Sequence, residues 1–296
     1  MFRALTIAGS DSCGGAGIQA DLKSFQANGV YGMSAITAVT VQNTMGVFGI
    51  QDMSPEIIEG QLNAIFEDIR VDAVKIGMVS KIESIKAISR ALRKVRNLPK
   101  IVLDPVMIST SGYNLLSKDA KDTLIKELFP LAELITPNLP EAEEILDCKI
   151  ETVEEMKDAA KKLMELGTKA VLVKGGHLKD DATDLLYDGK EFVLLPQEKI
   201  DTVNTHGTGC TLSSAIAANL AKGMDMKDAV IEGKKYITNA IKHGFKLGKG
   251  VGPTNHFYEL YKASGRYEEL TGEKENEWLK LTLNEHIFKW GLLGRQ

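Results

Sequence analysis

The chain has 296 residues, of which 44% are hydrophobic and 26% are charged, and its formal net charge is -4. This composition is typical of a globular protein with one large α/β domain or two small ones. The mild acidity argues against a nucleic-acid-binding protein, and the apolar runs fall short of the roughly 18 residues that a membrane-spanning helix needs.

The first part of the chain alternates between predicted strands and predicted helices. A short buried strand at residues 4–8 leads into the glycine-rich loop GSDSCGGAG, and a helix at residues 18–28 follows. The loop contains neither GxGxxG nor a Walker-type motif, so it does not predict a dinucleotide or P-loop site. Later patterns predict strands at residues 35–42, 73–78, 101–107, 134–138 and 170–176, and helices at residues 54–66, 82–94, 117–128, 140–146 and 153–166.

The remainder of the chain adds a hairpin, further helices and a tail. Residues 185–193 predict a β-hairpin with a turn at Asp188 and Gly189, and its second strand extends from residue 192 to residue 201. Helices are predicted at residues 212–222, 226–245 and 256–262. Residues 266–296 do not continue the pattern, and we interpret them as an accessory helical tail after a main domain at residues 1–265.

The alternation of strands and helices predicts an α/β fold with a mainly parallel sheet that is covered on both faces. Ligands of such sheets bind beyond the carboxyl ends of the strands. The candidate site residues follow predicted strands closely: Asp11, Gln42, Met78, Asp104, Asn138, Glu141, Lys174 and residues 207–210. We therefore expect residues that are far apart in the sequence to meet along one edge of the sheet.

The stretch THGTGCT at residues 205–211 places two glycines directly before a predicted helix. A glycine turn that opens a helix directs several backbone N–H groups toward one point, where the helix dipole is positive. The motif therefore suits an anion such as a phosphate. A plain helix entry with flexible glycines is the alternative, because short glycine patterns are weak evidence by themselves.

Five stretches together resemble a known family. They are GSDSCGGAGIQADLK at residues 9–23, VTVQNT at 39–44, DPVM at 104–107, ITPNLPE at 135–141 and HGTGCTLS at 206–213. In this order they are similar to motifs of the hydroxymethylpyrimidine/phosphomethylpyrimidine kinases of thiamin biosynthesis. These enzymes belong to the ribokinase-like superfamily and have close relatives that phosphorylate pyridoxal. The resemblance spans residues 4–261 and leaves the tail unexplained.

The resemblance implies a three-layer αβα sandwich and an ATP-dependent kinase, and together with the base rate for oligomers it implies a homodimer. Its small-molecule substrate would be 4-amino-5-hydroxymethyl-2-methylpyrimidine and then the monophosphate of this alcohol. Catalysis is assigned to Gly207, Thr208, Gly209, Cys210 and Lys174, nucleotide binding to Asn138, Lys174, Thr208 and Gly209, Mg²⁺ binding to Asp104 and Glu141, and substrate binding to Gly9, Ala16, Asp21, Val41, Gln42, Met78 and Val106. Cys13, Cys148 and Cys210 are odd in number and far apart, which agrees with a reducing cytoplasm.

Each assigned role has a plainer alternative. Lys174 can be an ordinary lysine at a strand end, Glu141 a first-turn acid that only stabilises the helix dipole, and Asp104 a turn former. Gln42 can be a polar strand end, although an amide that donates and accepts at once suits the edge of an aminopyrimidine. Met78 is as compatible with core packing as with a substrate wall.

Cys210 stands where many ribokinase-like enzymes have an aspartate that acts as general base. A thiol has a reference pKa of about 8.5, and a helix N-terminus lowers it. We therefore expect a thiolate that removes the proton of the acceptor hydroxyl in the first phosphorylation. The second phosphorylation has a phosphate oxygen as acceptor and hardly needs a base. A small buried thiol at a helix start is the alternative.

The loop after Met107 departs from the family pattern. Where the family commonly has a lysine and an acidic residue, this sequence has Thr110 and Tyr113, which removes the charges that would contact a substrate phosphate. Some pyridoxal-phosphorylating relatives use a loop cysteine, and residues 109–116 contain none. A pyridoxal kinase is thus the weaker alternative. A non-catalytic sensor of pyrimidine phosphate and a nicotinamide oxidoreductase are the alternatives from other classes.

Overall fold

The computed structural model describes residues 1–108, 112, 115–117, 119–176 and 182–272. These residues form a sheet of nine strands: β1 (Arg3–Ser10), β2 (Tyr31–Asn43), β3 (Gly46–Asp52), β4 (Ala73–Ile76), β5 (Lys100–Leu103), β6 (Leu134–Ile135), β7 (Val171–Val173), β8 (Asp184–Tyr187) and β9 (Phe192–Leu195). The spatial order is β3-β2-β1-β4-β5-β6-β7-β8-β9. The strands from β2 to β7 in this order are parallel, whereas β3, β8 and β9 pair antiparallel with their neighbours.

Helices cover both faces of this sheet. They are α1 (Gly17–Ala27), α2 (Pro55–Asp68), α3 (Ile82–Arg93), α4 (Ala120–Leu128), α5 (Leu139–Leu146), α6 (Val153–Glu165), α7 (Thr208–Ala221) and α8 (Met226–Lys242). In β5, Ile101 and Leu103 belong to the core formed with α2 to α6, while Val102 belongs to the core formed with α1, α7 and α8. Because successive strand residues point to opposite faces, a strand apolar throughout can bury both faces. The predicted three-layer αβα sandwich is therefore confirmed.

Several elements differ from the prediction: β9, for example, ends at Leu195 rather than at residue 201, and three further differences have identifiable causes or consequences. Strand β3 was not expected, because two glycines in GVFGIQD weaken its apolar pattern, yet it forms an antiparallel hairpin with β2. Strand β5 ends at Leu103 rather than at residue 107, and Pro105, which has no N–H for a ladder, follows it closely. Helix α7 begins at Thr208 rather than at residue 212, so the glycine motif forms its first turn.

The chain divides into two compact units, which begin at Met1 and at Phe257. The first unit contains the sheet and helices α1 to α8. The second contains α9 (Tyr258–Ala263) and α10 (Tyr267–Thr271). The rings of Tyr258 and Tyr267 pack edge to face, with 5.5 Å between their centroids. The domain boundary at residue 265 stays a prediction, and most of the predicted tail helix lies outside the described residues. Among the described residues, every helix is too short or too polar to cross a membrane.

Candidate active site

Residues that follow the carboxyl ends of the parallel strands line a cavity of about 630 Å³. Because these strands run in one direction, their ends meet at one edge of the sheet, which agrees with the expected convergence. The cavity brings together all the predicted site residues except Asp21 and Val41, namely Gly9, Ala16, Gln42, Met78, Asp104, Val106, Asn138, Glu141, Lys174, Gly207, Thr208, Gly209 and Cys210.

Gly207 allows helix α7 to begin at the cavity wall. Its φ of 76° lies in the left-handed region that favours glycine, and a side chain here would overlap the carbonyl oxygen of Gly15. Thr208, Gly209 and Cys210 form the first turn of α7 and line the cavity. The first N–H groups of a helix have no acceptor within the helix and lie at the positive end of its dipole, so this turn suits an anion.

Lys174 lies between two carboxylates beside this turn. Its Nζ is 2.8 Å from Asp104 Oδ1 and 4.0 Å from Glu141 Oε2. Thr136 donates its hydroxyl hydrogen to the same oxygen of Asp104 at 3.0 Å. A Cβ atom at Gly209 would lie 3.2 Å from Lys174 Nζ, so the first turn of α7 packs closely against this cluster. One ammonium group thus faces two carboxylates next to the anion site.

Glu141 both caps a helix and faces the cavity. It forms a capping box with Asn138, in which each side chain accepts a hydrogen bond of 2.8 Å from the other residue's backbone N–H. Burial raises the pKa of Glu141 to about 7, Lys174 opposes this rise, and the Asp104 carboxylate adds to it. The helix-stabilising role that was the plainer alternative is present, and the same carboxylate also lines the cavity.

The pKa of Cys210 moves in the direction opposite to the prediction. Burial raises the pKa of this thiol to about 11; Lys75 opposes the rise, whereas Asp21 and Asp104 add to it. The expected lowering of this pKa by the helix N-terminus is therefore wrong, because burial raises the pKa by more than Lys75 and the backbone N–H of Gly17 lower it. The role of Cys210 as a base stays a prediction, and it depends on the small fraction of thiolate that a thiol with this pKa has near pH 7.

Asp21 lies beneath the first turns of α7 rather than in the cavity. Its side chain is fully buried, and its two carboxylate oxygens each lie 2.9 Å from Lys75 Nζ. They also accept hydrogen bonds from the hydroxyls of Thr6 at 2.6 Å and Ser214 at 2.7 Å. The role of Asp21 in substrate binding stays a prediction, and in this structure protein partners take up its carboxylate.

Val41 lies on the other side of strand β2 from the cavity. Successive side chains of a strand point to opposite faces, and Thr40 and Gln42 are the residues of β2 that line the cavity. Val41 is 64% exposed. Its side chain therefore does not join the substrate residues that the sequence predicts. The loop residues Thr110 and Tyr113 lie outside the described residues.

Several cavity residues were not assigned a role from the sequence. His206 Nε2 lies 2.8 Å from Asp11 Oδ2, and the Lys234 Nζ lies 2.6 Å from Asp184 Oδ2. His206 and Asp11 each lie within a motif that was recognised, but their pairing joins residues 195 positions apart. Asp184 directly precedes the predicted hairpin, and its partner Lys234 lies in the helix predicted at residues 226–245. The missed apolar part of the wall includes Ile200, Leu212, Ile237 and Ile241.

Sequence comparison connects this site with known enzymes. The family model described as phosphomethylpyrimidine kinase matches residues 11–255. A hydroxymethylpyrimidine/phosphomethylpyrimidine kinase of Rhizobium meliloti (strain 1021) is 54% identical over 263 residues, which cover 88% of this chain and 98% of the relative. The protein of the same name from Bacillus subtilis (strain 168) is 44% identical, with 87% of this chain and 95% of the relative covered.

Solved structures give the same result. A phosphomethylpyrimidine kinase from Clostridium difficile 630 is 53% identical and superposes with a TM-score of 0.74, covering 82% of this chain and all of that one. Bacillus subtilis pyridoxal kinase in complex with ADP is 42% identical, with a TM-score of 0.81 over 88% of this chain and 99% of that one. The fold is thus the ribokinase-like one that the resemblance implies. With its cavity at the sheet edge and a family match that spans most of its length, the chain belongs to the phosphomethylpyrimidine kinase family.

Proposed function

We propose that the protein is an ATP-dependent hydroxymethylpyrimidine and phosphomethylpyrimidine kinase. It phosphorylates the hydroxyl of 4-amino-5-hydroxymethyl-2-methylpyrimidine and then the resulting monophosphate, which gives the pyrophosphate for thiamin biosynthesis. The relatives that carry these names support the two acceptors. The proposal depends on one observation: the first turn of α7, the Lys174 cluster and the Gln42 side chain line the same cavity.

The acceptor binds at the end of the cavity formed by β1, β2 and the residues after β4 and β5. Gly9, Ala16, Met78 and Val106 form its wall, and Gln42 supplies an amide that can donate and accept hydrogen bonds. A Cβ atom at Gly9 would lie 3.2 Å from Met78 Cε, so the bare glycine backbone leaves room for this thioether. Met78 also packs with Ala38 and Leu115 and therefore serves as core and as wall at once.

ATP binds at the other end of the cavity. Asn138, Lys174, Thr208 and Gly209 contact its phosphates, and the apolar residues Leu212, Ile237 and Ile241 pack against the base. A side chain at Gly207 would meet the backbone of Gly15 in the loop of the acceptor end, and a side chain at Gly209 would meet Lys174. The anion site of α7 therefore lies between the two ends, where a phosphoryl group in transit needs its charge stabilised.

Asp104 and Glu141 fit a magnesium ion. Mg²⁺ prefers hard oxygen ligands and keeps several waters, and here two carboxylates face one ammonium group. A further cation would offset the excess negative charge to which Glu141 owes part of its raised pKa. We assign these two residues to hold Mg²⁺, which supplies charge neutralisation at the donor phosphates when it is bound.

Transfer proceeds by in-line displacement. The acceptor oxygen forms a bond to the γ-phosphorus, the bond from that phosphorus to the β–γ bridging oxygen breaks, and ADP leaves. The N–H groups of residues 207–210 bind the equatorial oxygens, and Lys174 acts as a point charge beside them. The hydroxyl proton of the pyrimidine alcohol passes to the Cys210 thiolate. The monophosphate acceptor is already ionised near neutral pH and needs no such transfer.

A coupled assay of ATP consumption with three acceptors in parallel tests the proposal. We expect turnover with the pyrimidine alcohol and with its monophosphate, in the presence of Mg²⁺, and slower turnover with pyridoxal. Product analysis should give the pyrimidine pyrophosphate and ADP. Consumption of ATP with pyridoxal alone would contradict the proposed acceptors while leaving the kinase fold and donor site in place.

Pyridoxal kinase activity is the second candidate. The structural similarity to Bacillus subtilis pyridoxal kinase, with a TM-score of 0.81, supports it. The relatives named for the pyrimidine activities reach 54% identity, which favours the pyrimidine acceptors. The three-acceptor assay separates the two candidates directly. We also propose that the enzyme works as a homodimer in the cytoplasm, which light scattering and cell fractionation would test.

A further inference from the structure

A buried histidine connects the acceptor end of the cavity with the start of α7. His206 precedes the helix-capping Gly207, and its Nε2 atom lies 2.8 Å from Asp11 Oδ2. The same Nε2 lies 3.3 Å from one end of the Gln42 amide. A Cβ atom at Gly15 would overlap the imidazole, so the ring packs closely against the backbone of the glycine loop. Its position is therefore fixed from several sides.

The hydrogen between His206 and Asp11 belongs to the imidazole. The Asp11 carboxylate already accepts hydrogen bonds from the backbone N–H groups of Cys13, Gly15 and Ala16, at 2.9, 3.0 and 2.8 Å. Burial alone would raise the pKa of Asp11, but the His206 contact and the amides of Cys13 and Ala16 lower it to about 2. The carboxylate is thus ionised, and Nε2 of His206 carries the hydrogen whether the ring is neutral or charged.

A protonated Nε2 determines which way the Gln42 amide points. In this structure the amide nitrogen of Gln42 lies at this position. A ring nitrogen that carries a hydrogen has no lone pair for an amide N–H, so the reversed amide fits better, with its oxygen here sharing the Nε2 hydrogen with Asp11. The other end of the amide lies 3.3 Å from Thr40 Oγ1, which donates its single hydrogen to the Ser10 carbonyl oxygen at 2.9 Å. Thr40 can then only accept, which requires the NH₂ group of Gln42 on its side. Two independent neighbours thus demand the same orientation.

We propose that His206, held by Asp11, is a positioning residue that sets the order of hydrogen-bond donor and acceptor on Gln42. The amide oxygen faces His206 and the NH₂ group faces Thr40, with one N–H and one lone pair left for the substrate. Such an edge pairs with a ring nitrogen next to an exocyclic amine, and only in one orientation of the ring. This consequence depends on the aminopyrimidine acceptor of the proposed function, whereas the placement of the proton does not.

The proton placement is tested first, without any substrate. The protein, labelled with ¹⁵N-histidine, contains five histidines, and His206 is assigned by the signal that disappears in His206→Gln. Long-range ¹H–¹⁵N spectra distinguish a protonated from an unprotonated ring nitrogen. We expect a protonated Nε2 in the wild type and a changed tautomer population in Asp11→Asn. An unprotonated Nε2 in the wild type would overturn the proposal.

The second test compares two replacements of His206. Gln carries an amide N–H near the position of Nε2 and keeps a donor for Asp11 and Gln42, whereas Leu has none. We expect His206→Leu to raise the KM for the pyrimidine alcohol about tenfold, as for one lost hydrogen bond to a charged network, and His206→Gln to restore most of it. The KM for ATP should stay within about twofold in both variants.

Other outcomes of this comparison decide against the positioning role. Equal losses in the two variants, or a KM for ATP that rises as much as the KM for the alcohol, would mean that His206 only supports the backbone of Gly207. An unchanged KM for the alcohol in His206→Leu would also overturn the role. If the wild type phosphorylates pyridoxal and not the pyrimidine, the proposed function fails, and the spectra still decide where the proton lies.

Discussion

Two lysine–aspartate pairs lie near the first turn of α7, and they differ in what surrounds them. Lys75 and Asp21 are fully buried, and hydroxyls of Thr6 and Ser214 complete the bonds of the carboxylate. Lys174 is 13% exposed at the cavity wall, where it contacts Asp104 and has Glu141 4.0 Å away. The first pair is closed and balanced in charge, and the second is open and carries one carboxylate in excess.

This difference in surroundings distinguishes a structural ion pair from a ligand-binding one more clearly than the residue types do. A balanced, fully hydrogen-bonded pair offers nothing to a ligand, but it ties α7 to β1, β4 and α1 through Ser214, Thr6, Lys75 and Asp21. An open cluster with excess negative charge can accept a cation and the phosphates that accompany it. The closed pair therefore anchors α7, and the first turn of this helix forms the anion site beside the open cluster.

Breaking the closed pair should have the largest effect on folding. Lys75→Met leaves the Asp21 carboxylate buried without a counter-charge, so we expect the free energy of unfolding to fall by about 3–5 kcal/mol. Urea denaturation measures this loss. Lys75→Met combined with Asp21→Asn removes both charges and should recover most of the stability. If the single variant lost less than about 1 kcal/mol, the pair would not secure α7.

Breaking the open cluster should affect catalysis far more than folding. Lys174→Met removes a cation beside the transferred phosphoryl group, and we expect kcat/KM to fall about 10²–10³-fold, as for other lost transition-state donors. The urea midpoint should move much less than in Lys75→Met. Lys174→Arg keeps the positive charge but not the shape of the lysine side chain, so it should lose less activity than Lys174→Met. A loss of stability equal to that of Lys75→Met would erase the contrast between the two pairs.

Cys210 lies within reach of both pairs, and its effect should depend on the acceptor. We expect Cys210→Ala to lower turnover of the pyrimidine alcohol about 10²-fold and turnover of the monophosphate much less. The wild-type rate with the alcohol should rise with pH from about 7 to 9, because a thiol whose pKa is about 11 gains thiolate with each pH unit. The variant should lack this rise. An equal loss on both acceptors would exclude Cys210 as the base.

The three layers of this fold and the location of the site at one edge of the sheet could be predicted, because both depend on local hydrophobic patterns. Uninterrupted apolar runs such as Ile101–Leu103 require cover on both faces, and this places helices on each side of a parallel sheet. The ends of parallel strands must then converge, so Asp104, Asn138 and Lys174 were expected together before any distance was known. These inferences need only the periodicity of the apolar residues and the direction of the strands.

The partner of each charge could not be predicted in this way. Asp21 lies in a family-like motif and seemed to be a substrate residue, but Lys75, 54 positions later, takes up its carboxylate. The sequence did hold one signal: Lys75 interrupts the apolar strand AVKI, and a lysine on a strand buried on both faces needs a counter-ion. The Cys210 pKa was misjudged for a related reason, because burial is set by tertiary packing and not by the helix start alone.

Asp11 provides the smallest and most specific test, because it is buried like Asp21 but lies at the cavity like Asp104. Burial alone would raise its pKa; His206 and two backbone amides lower it to about 2, below the value of about 3.9 in an unfolded chain. A carboxyl whose folded pKa is depressed adds stability above the unfolded pKa and loses it as the pH falls toward the folded pKa. The stability difference between wild type and Asp11→Asn should thus be largest above about pH 4 and shrink toward about pH 2.

Urea denaturation of both proteins at a series of acidic pH values measures this difference. A difference between wild type and Asp11→Asn that stays constant across this range would mean that the Asp11 carboxylate gains nothing from being ionised in the folded protein. The bond from His206 would then not be the charged one that orients Gln42, and the cavity would owe its shape to packing alone.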